Sequence, residues 1–260
     1  MPRLPEPCES HTLGASTGAQ DFGARLFEIL ACIGDADTTD SALGLFKEAV
    51  IALGADAGVF MSHLRDDATR TSLRSLWACD PVWAAEYASH NWFEHDPWLR
   101  HATHDAEPIR LSALKLTSAE EEAFVAAASI YGFRSAVIAP APSHIGRSRV
   151  GVLCIGSQYP EFFEGEAFSR ERVWVRALAM ELHRWLLQSM RQELLLKSRI
   201  TEAEIELLRH EEAGHSSKVI GAALNVEGKT IDCRFQRLNA KLEAPDRRTA
   251  LRIAKLYGLL

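Results

Sequence analysis

The sequence lacks any uninterrupted apolar stretch that approaches the roughly 20 residues a membrane-spanning helix needs. Its first residues, MPRLPEPCESHTLGASTG, also lack the apolar core of a secretory signal. Cysteines are few: the chain has five, at scattered positions, and none forms a Cys-x-x-Cys pair. An odd number of separated cysteines favours free thiols over a disulfide framework. These absences predict a cytoplasmic protein with no membrane partner.

Positive charge is also scarce, because the formal net charge at pH 7 is −6. That balance argues against a general nucleic-acid coat protein. The two parts of the chain differ, however. Residues 197–260 carry twelve Lys/Arg and nine Asp/Glu, whereas residues 1–196 carry 17 and 26, so the net charges are +3 and −9. Such asymmetry is typical of an acidic sensing part joined to a nucleic-acid-binding part.

Composition and hydrophobic periodicity divide the chain into three regions. Residues 1–20 are rich in Pro, Gly, Ser and Thr and are predicted to be a disordered leader. Residues 21–196 predict an α+β domain, and residues 197–260 predict an all-α domain of four helices. The fold class expected is therefore an α–β–α sandwich with an antiparallel sheet, followed by a four-helix helix-turn-helix domain.

The pattern of the α+β region predicts a few antiparallel strands covered by helices on both faces. Pro97 disfavours helix at Asp96, so residues 83–98 are predicted to be a helix followed by a loop. The segments DDATR and HIGR are predicted to be turns between paired strands. The other predicted elements are helices within 21–53, over 118–131 and over 165–196, and strands within 58–66, 71–79, 135–143 and 148–158.

The last region predicts four short helices. Thr201 and Glu204 have the spacing of a capping box at the first of them. The turn NVEG joins the second helix to a third over residues 229–242, and the last helix is predicted over 250–260. From Gly228 onward there are eight basic and three acidic residues. Two helices around a tight turn suit the DNA major groove, but the same periodicity is compatible with a helical docking or dimerisation bundle.

The stretch WAAEYASHNWFEHDPW, residues 83–98, crowds three Trp, one Tyr and one Phe around Asp96. Such rings either fill a core or line a pocket for a small organic molecule, with the carboxyl holding its polar end. A buried carboxylate only accepts hydrogen bonds and an indole only donates them. The stretch is thus a candidate site for a small organic molecule.

Two other signals predict enzymes or metal proteins, and both are weaker. Gly14–Gly18 matches the G-x-S-x-G hydrolase pattern, but it lies in the leader without the strand and helix that the motif needs. Four histidines also cluster in sequence, but their spacing matches no standard ligand set. We therefore predict no metal site and no catalytic site. The four histidines are His90, His95, His101 and His104.

The segments ITEAEIELLR, Ala-Gly, Ser-x-Lys-x-Ile, Leu-Asn-Val, Lys-Thr-Ile and Arg-Thr-Ala span the last region in order. Together they resemble the LuxR-type helix-turn-helix of bacterial transcription regulators. The resemblance implies double-stranded DNA as a partner. Departures from the family pattern are Ile200, Ala203, Val219, Asp232 and Arg234, and a carboxylate at Asp232 repels phosphate. The DNA-binding residues implied are Lys218, Lys229, Thr230, Asp232, Cys233, Arg234 and Arg237.

Trp83, Tyr87, Asp96 and Pro97 reproduce the W-x3-Y-x8-DP pattern of the autoinducer-binding domain in LuxR-family quorum-sensing receptors. This resemblance implies that an N-acyl-homoserine lactone binds between the sheet and one helix layer, without a cofactor. In that family the Trp donates to the lactone carbonyl, the Asp accepts the amide N–H, and the Tyr donates to the acyl carbonyl. The ligand-binding residues implied are Trp83, Tyr87, Asp96, Pro97, Leu111, Ala136, Cys154 and Cys79.

Several of these positions depart from the family pattern. Arg110-Leu111 stand where a Trp is usual, Ala136 replaces a Gly, Cys79 a Tyr, and Cys154 a Thr or Ser. We predict a ligand-responsive transcriptional regulator that is not an enzyme, and the family implies a homodimer formed through the long helix. The alternative is a drifted regulator that binds another small molecule or none and acts by mixed dimerisation with a related regulator.

Overall fold

The computed structural model of the chain describes residues 21–65, 71–143, 149–166 and 168–260. The predicted leader with its Gly14–Gly18 motif and the predicted turns DDATR and HIGR lie outside the described residues. The chain divides into two units, one ending at Trp185 and one spanning Leu186–Leu260. Each unit has its own apolar core. None of the helices in the described ranges is long and apolar enough to cross a membrane.

An antiparallel sheet forms the centre of the first unit, as the alternating segments predicted. In the described residues its strands are β1 Ala57–Arg65, β2 Thr71–Ala78, β3 Ile109–Arg110, β4 Ser135–Pro142 and β5 Arg149–Ser157. Their order in the sheet is β2-β1-β5-β4-β3. The short β3 was not predicted, because two residues cannot show an alternating pattern.

The helices of the first unit begin at residues that can cap them. Thr38 accepts the Ser41 amide before α2, and Ser118 accepts the Glu121 amide before α5. Asp80 caps α3 in the same way. The helices are α1 Phe22–Ile33, α2 Thr39–Ala52, α3 Pro81–Ser89, α4 Pro97–His104, α5 Ala119–Ile130 and α6 Phe168–Ser198, with single 3-10 turns at Trp92–Glu94 and Leu111–Ala113.

The prediction of a helix followed by a loop over residues 83–98 holds through Asp96, but it missed α4, which begins at Pro97. Asp96 is its N-cap and Pro97 its first residue. Proline disfavours helix in the residue before it, but its fixed φ and missing N–H suit the first helical position. The same Asp-Pro step precedes α3 at Asp80 and Pro81. The long helix also differs slightly from the prediction, since it begins at Phe168 rather than at residue 165.

Helices cover both faces of the sheet. On one face Val59, Ile138 and Cys154 belong to a cluster with the rings of α3, α4 and α5. On the other face Phe60 lies 6.5 Å, centroid to centroid, from the His183 ring of α6. There Gly58 lets α2 approach, because a Cβ at Gly58 would lie 2.7 Å from a methyl group of Val50. This layering is the predicted α–β–α sandwich.

The second unit contains four further helices after the end of α6. Thr201 and Glu204 form the predicted capping box. The last helix begins earlier than predicted, because Asp246 accepts the Thr249 amide and so caps a helix that starts at Arg247. Ile231, Phe235 and Leu238 are buried in the core, as their spacing predicted. The helices are α7 Glu202–Glu212, α8 Ser217–Ala223, α9 Gly228–Lys241 and α10 Arg247–Leu256.

Candidate ligand-binding site

Helices α3 and α4 bring Trp83, Tyr87 and Asp96 together against the sheet. Trp83 and Tyr87 lie one turn apart on α3 and therefore share a face of that helix. Asp96 stands at the start of α4. Trp83 is 0% exposed, and Tyr87 and Asp96 are each 3% exposed. The three side chains of the W-x3-Y-x8-D pattern are thus all buried in the first unit.

The Asp96 carboxyl joins the two helices. Its Oδ1 accepts the backbone N–H groups of Trp98, at 2.7 Å, and Leu99, at 3.2 Å. Its Oδ2 accepts the Tyr87 hydroxyl at 2.8 Å. A carboxylate offers about four lone-pair sites, so Oδ2 can accept one more hydrogen bond. The group therefore caps α4, holds α3, and keeps acceptor capacity for a further donor.

Burial sets the protonation of the polar groups in this region. It raises the pKa of Asp96 to about 7, although hydrogen bonds from Tyr87 and the two backbone amides act in the opposite direction. Burial and the neighbouring Asp96 charge raise the pKa of Tyr87, so the phenol remains a donor. Burial also raises the pKa of the Cys79 thiol to about 12, and that of Cys154 well above its usual range. Both thiols are therefore neutral and poorly nucleophilic.

Tyr87, the hydrogen-bond partner of this carboxyl, belongs to a cluster of packed aromatic rings. Phe124 of α5 lies at their centre, with its centroid 4.8 Å from Trp98, 5.7 Å from Trp83 and 5.7 Å from Trp92. The Tyr87 ring is 6.1 Å from the same centroid. All four contacts are edge-on, which is a favoured arrangement of ring quadrupoles. We call Trp83, Tyr87, Trp92, Trp98 and Phe124 the ring cluster.

Three indole N–H groups in the ring cluster are buried without a hydrogen-bond partner among the described residues. They belong to Trp83, Trp92 and Trp98. An unpaired buried donor costs about 1–3 kcal/mol, and native structures pair roughly 90% or more of buried polar groups. Three such donors beside a carboxyl with spare acceptor capacity suit a neutral molecule that has several oxygen acceptors and one N–H donor.

The remaining predicted ligand residues also lie at this place. Ala136 and Cys154 are buried on the sheet face beneath the rings, and Cys79 and Leu111 pack against the same cluster. Pro97 is buried as the first residue of α4. The sequence pattern therefore selected side chains that the fold brings together in space.

Arg110 and Leu111, which stand where the family usually has a Trp, lie at the junction of β3 and the 3-10 turn Leu111–Ala113 and make different contacts. Arg110 donates to the Glu164 carbonyl at 3.2 Å and lies 3.5 Å from the Glu164 carboxylate. Its guanidinium is 5.1 Å from the centroid of the Phe168 ring. Leu111, not Arg110, thus packs against the ring cluster.

Sequence reasoning named neither Trp98 nor Phe124 as a ligand-binding residue, although Trp98 ends the aromatic stretch; both are 0% exposed and pack against each other in the ring cluster. Phe124 had a usable signal, because it is the one ring in the helix AEEEAFVAAASI. A large ring among small residues marks the position where a helix meets its core. Trp98 had no comparable signal, since the stretch around it was read as a loop.

The candidate metal ligands do not form a site. Within the described ranges no three His, Cys, Asp or Glu side chains are grouped so that they could hold a metal ion. Three of the four histidines instead lie within hydrogen-bond distance of backbone carbonyls: His90 of Glu86, His101 of Glu107 and His104 of Arg100.

A groove of about 310 Å³ lies elsewhere in the first unit, between α1 and α6. Phe27 and Leu30 of α1 and Trp174 of α6 contribute to its walls. No residue predicted to bind the ligand lines it, so it is a feature separate from the ring cluster.

In the second unit, the predicted DNA-binding residues lie on the outside of α8 and α9. All seven are exposed. Within the described part of the chain, the cationic ends of Lys229, Arg234 and Arg237 form no ion pair. The seven are Lys218 of α8 and Lys229, Thr230, Asp232, Cys233, Arg234 and Arg237 of α9.

Asp232 has partners that the sequence did not predict. Its Oδ1 accepts the Ser217 hydroxyl at 2.6 Å and a guanidinium N–H of Arg247 at 2.5 Å. Arg247 also donates to the Ser217 Oγ at 2.8 Å, and its guanidinium lies 4.0 Å from the Phe235 ring centroid. The Ser217 hydrogen bond and the Arg247 charge lower the pKa of Asp232. The carboxylate expected to repel phosphate is thus paired with a cation of α10.

The sheet, its helical layer and the buried donor and acceptor groups together are suited to sensing a small neutral molecule. The family described as "Autoinducer binding domain" matches residues 38–186, which is more than half of the chain. The chain belongs to this LuxR-type family of autoinducer-binding domains. Members are regulators that bind small autoinducer signals; they are not enzymes and use no cofactor.

Solved structures share the fold at low sequence identity. Escherichia coli SdiA is 16% identical with a TM-score of 0.71, covering 92% of this chain and 99% of that chain. SdiA in complex with octanoyl-rac-glycerol is 17% identical with a TM-score of 0.68, covering 93% and 97%. The N-acylhomoserine lactone dependent LuxR family factor CepR2 from Burkholderia cenocepacia is 18% identical with a TM-score of 0.56, covering 65% and 98%. No curated protein sequence matches significantly.

The raised pKa of Asp96 makes stability depend on pH. Because the folded pKa, about 7, exceeds the unfolded value, the folded state holds the proton more tightly. The stabilisation is present below the unfolded pKa of about 3.9 and is lost as pH rises through the folded pKa. Relative to Asp96→Asn, we expect the wild type to lose about 2–3 kcal/mol of unfolding free energy between about pH 5 and pH 8.

The unfolding free energy of the first unit is measured by urea denaturation with tryptophan fluorescence as the signal, since all six Trp lie between residues 77 and 185, in that unit. The control is Asp105→Asn, an exposed group whose pKa is lowered, chiefly by the Glu107 amide. A difference between wild type and Asp96→Asn that stays constant over this pH range would contradict the buried carboxyl.

Proposed function

We propose that the chain is a quorum-sensing transcriptional regulator that binds an N-acyl-homoserine lactone in the ring cluster and double-stranded DNA through residues 197–260. The observation that carries the ligand assignment is the buried Asp96 carboxyl with spare acceptor capacity beside the unpartnered Trp83 N–H. The Trp83 N–H has no acceptor among the described residues and Asp96 can accept one further donor, and an acyl lactone carries both an acceptor and a donor.

An acyl lactone has one amide N–H and two carbonyl groups, and carries no charge. In the proposed complex the amide N–H donates to Oδ2 of Asp96, and Trp83 donates to the lactone carbonyl. The Tyr87 hydroxyl, now 2.8 Å from Oδ2, turns to the acyl carbonyl when the amide takes its place. Every buried polar group of the ligand then has a partner, which avoids a desolvation cost of about 1–3 kcal/mol for each.

The acyl chain would lie against the apolar residues that surround these groups. Leu111 and the sheet residues Ile138, Val152 and Cys154 offer such a surface. Each methylene buried there contributes about 0.8 kcal/mol. The SdiA complex with octanoyl-rac-glycerol has the same fold with an acyl compound bound, which supports an acyl ligand here.

The second unit supports DNA binding by a helix-turn-helix. Asn225 has a positive φ of 53° in the turn between α8 and α9. Gly221 allows the turn to pack closely, because a Cβ there would lie 2.6 Å from the Val226 carbonyl oxygen. The exposed cations of α9 suit phosphate and base edges. The fold similarity to SdiA covers 92% of this chain, which includes most of residues 197–260.

The pairing of Asp232 with Arg247 bears on the rival function, in which the chain has lost DNA binding and acts only by mixed dimerisation. That hypothesis rests on two departures from the family pattern, Asp232 on the groove-facing helix and Val219 on α8. Since Asp232 is held by Ser217 and Arg247, its charge is largely compensated. We therefore favour DNA binding by a homodimer, with α6 as the dimer surface; Val173 and Met180 are apolar and exposed on that helix.

We expect Asp96→Asn to weaken binding of N-octanoyl-homoserine lactone by about 10–100-fold, because the variant loses a hydrogen bond from the ligand amide to a charged group. Asparagine keeps an oxygen for the α4 cap but presents an NH2 group, instead of Oδ2, to the ligand amide. Isothermal titration calorimetry near pH 7.5 measures the change.

Asp80→Asn is the matched control for this variant. Asp80 also caps a helix that begins with proline, accepting the Val82 amide at 2.9 Å, but it is exposed. The affinity of the Asp80→Asn variant for the lactone should stay within about twofold of the wild-type affinity, since the exposed Asp80 carboxyl is not placed to contact the ligand. Equal losses in the two variants would mean that Asp96 acts only as a helix cap.

For DNA, Arg234→Ala should lower affinity for duplexes that the wild type selects from a random library. A loss of about 1–3 kcal/mol corresponds to one base-reading arginine. Ligand affinity should not change. Arg209→Ala is the control, because Arg209 is an exposed arginine of α7 that pairs with Glu206 at 2.8 Å. Fluorescence anisotropy at several salt concentrations reports both variants, and undiminished affinity in Arg234→Ala would refute the assignment.

A further inference from the structure

Trp98 lies next to Asp96, one of the residues proposed to bind the ligand. It is the second residue of α4, and its backbone N–H donates to Asp96 Oδ1 at 2.7 Å. Its ring packs edge-on against Phe124, with centroids 4.8 Å apart, and against Phe133 at 5.2 Å. The side chain is 0% exposed. The position of this indole is therefore set by the same capping interaction that sets the Asp96 carboxyl.

The Trp98 N–H is a buried donor without a partner among the described residues. Other indoles of the first unit show that this is not general to the chain. The Trp77 N–H donates to the Ser75 hydroxyl at 2.8 Å, and the Trp185 N–H donates to the Ala36 carbonyl at 2.8 Å. Unpartnered indoles are thus found in the ring cluster around Asp96, where a ligand would supply acceptors.

Counting donors against acceptors narrows the ligand class. In the proposed function, an acyl lactone without further substituents uses its two carbonyls on Trp83 and Tyr87. Trp98 is then left unpaired in a site that has closed around the ligand, which is unfavourable. A further neutral oxygen near the amide would pair this donor, because Asp96 holds the amide and the same carboxyl caps the helix start that carries Trp98.

Resting on that proposed function, we propose that Trp98 is a further ligand-contacting residue whose indole N–H donates to an oxygen on the acyl chain near the amide. The signal class is then a 3-oxygenated acyl lactone rather than a simple acyl lactone. Trp92 carries a similar buried donor, but its ring is partly exposed and stacks on His90 with centroids 5.6 Å apart, whereas Trp98 is fully buried at the start of α4 beside Asp96. Trp98 therefore determines specificity for the acyl oxygen.

The test compares N-(3-oxooctanoyl)-homoserine lactone with N-octanoyl-homoserine lactone by calorimetry on the full chain. The wild type should bind the 3-oxo compound about tenfold more tightly, the difference expected from pairing one buried donor. Trp98→Phe keeps a ring against Phe124 and Phe133 but removes the N–H. It should lose that preference by weakening the 3-oxo complex, with little change for the octanoyl compound.

Trp77→Phe is the matched control, because it removes an indole N–H that also packs against the ring cluster but has its own partner in Ser75. It should keep the wild-type preference. A wild type without preference for the 3-oxo compound, a Trp98→Phe variant that retains the preference, or equal losses for both lactones would each overturn the inference. The wild-type comparison needs no variant, so it stands even if Trp98→Phe does not fold.

The outcomes also separate this inference from the proposed function. If neither lactone binds the wild type, the lactone assignment itself fails. If both bind with equal affinity, the ligand class of the proposed function stands and the role of Trp98 is wrong.

Discussion

The hydrogen bonds of one buried carboxyl organise the sensory part of this protein. Asp96 starts α4 through two backbone amides and holds α3 through the Tyr87 hydroxyl. Burying such a group costs free energy unless its lone pairs are satisfied. Three hydrogen bonds offset that cost only in part, which is why burial still raises the pKa of the carboxyl to about 7. The group is thus stable enough to shape the fold and remains able to accept one more donor.

The ring cluster has the complementary property. Its rings pack well, but the indole N–H groups of Trp83, Trp92 and Trp98 have no partner among the described residues. A site with spare acceptor and donor capacity is one whose core a ligand completes. Under the proposed function, occupancy stabilises the first unit by mass action, by an amount that grows with the ratio of signal concentration to its dissociation constant. The free energy of unfolding of the first unit would then rise with signal concentration.

Features governed by local sequence were predictable. The four longer strands stand out as apolar or alternating segments between turn residues, and the Thr201–Glu204 capping box formed as its spacing indicated. The pattern of Trp83, Tyr87 and Asp96 located a cluster that the fold does assemble. Features governed by tertiary context were not predictable. A proline can follow the end of a helix or stand at the first position of one, so the sequence did not reveal that α4 begins at Pro97. The pairing of Asp232 with Arg247 depends on how α9 packs against α10.

The same division explains why Trp98 emerged only from the structure. The sequence shows a tryptophan at this position, but only the three-dimensional structure shows that its indole N–H has no hydrogen-bond acceptor nearby among the described residues. Whether an Asp near several rings is a pocket or a core also depends on which hydrogen bonds the fold leaves unmade. Here the indole N–H groups of Trp83, Trp92 and Trp98 are unpaired among the described residues, whereas those of Trp77 and Trp185 have partners.

The most direct test of the account is an NMR titration of the ¹⁵N-labelled chain with N-octanoyl-homoserine lactone, observing the indole N–H signals after assignment by single Trp→Phe variants. The account predicts that the Trp83 signal shifts to saturation with one equivalent of bound ligand, while the Trp185 signal, already bonded to Ala36, stays in place. Ligand binding that leaves the Trp83 signal unmoved would contradict it.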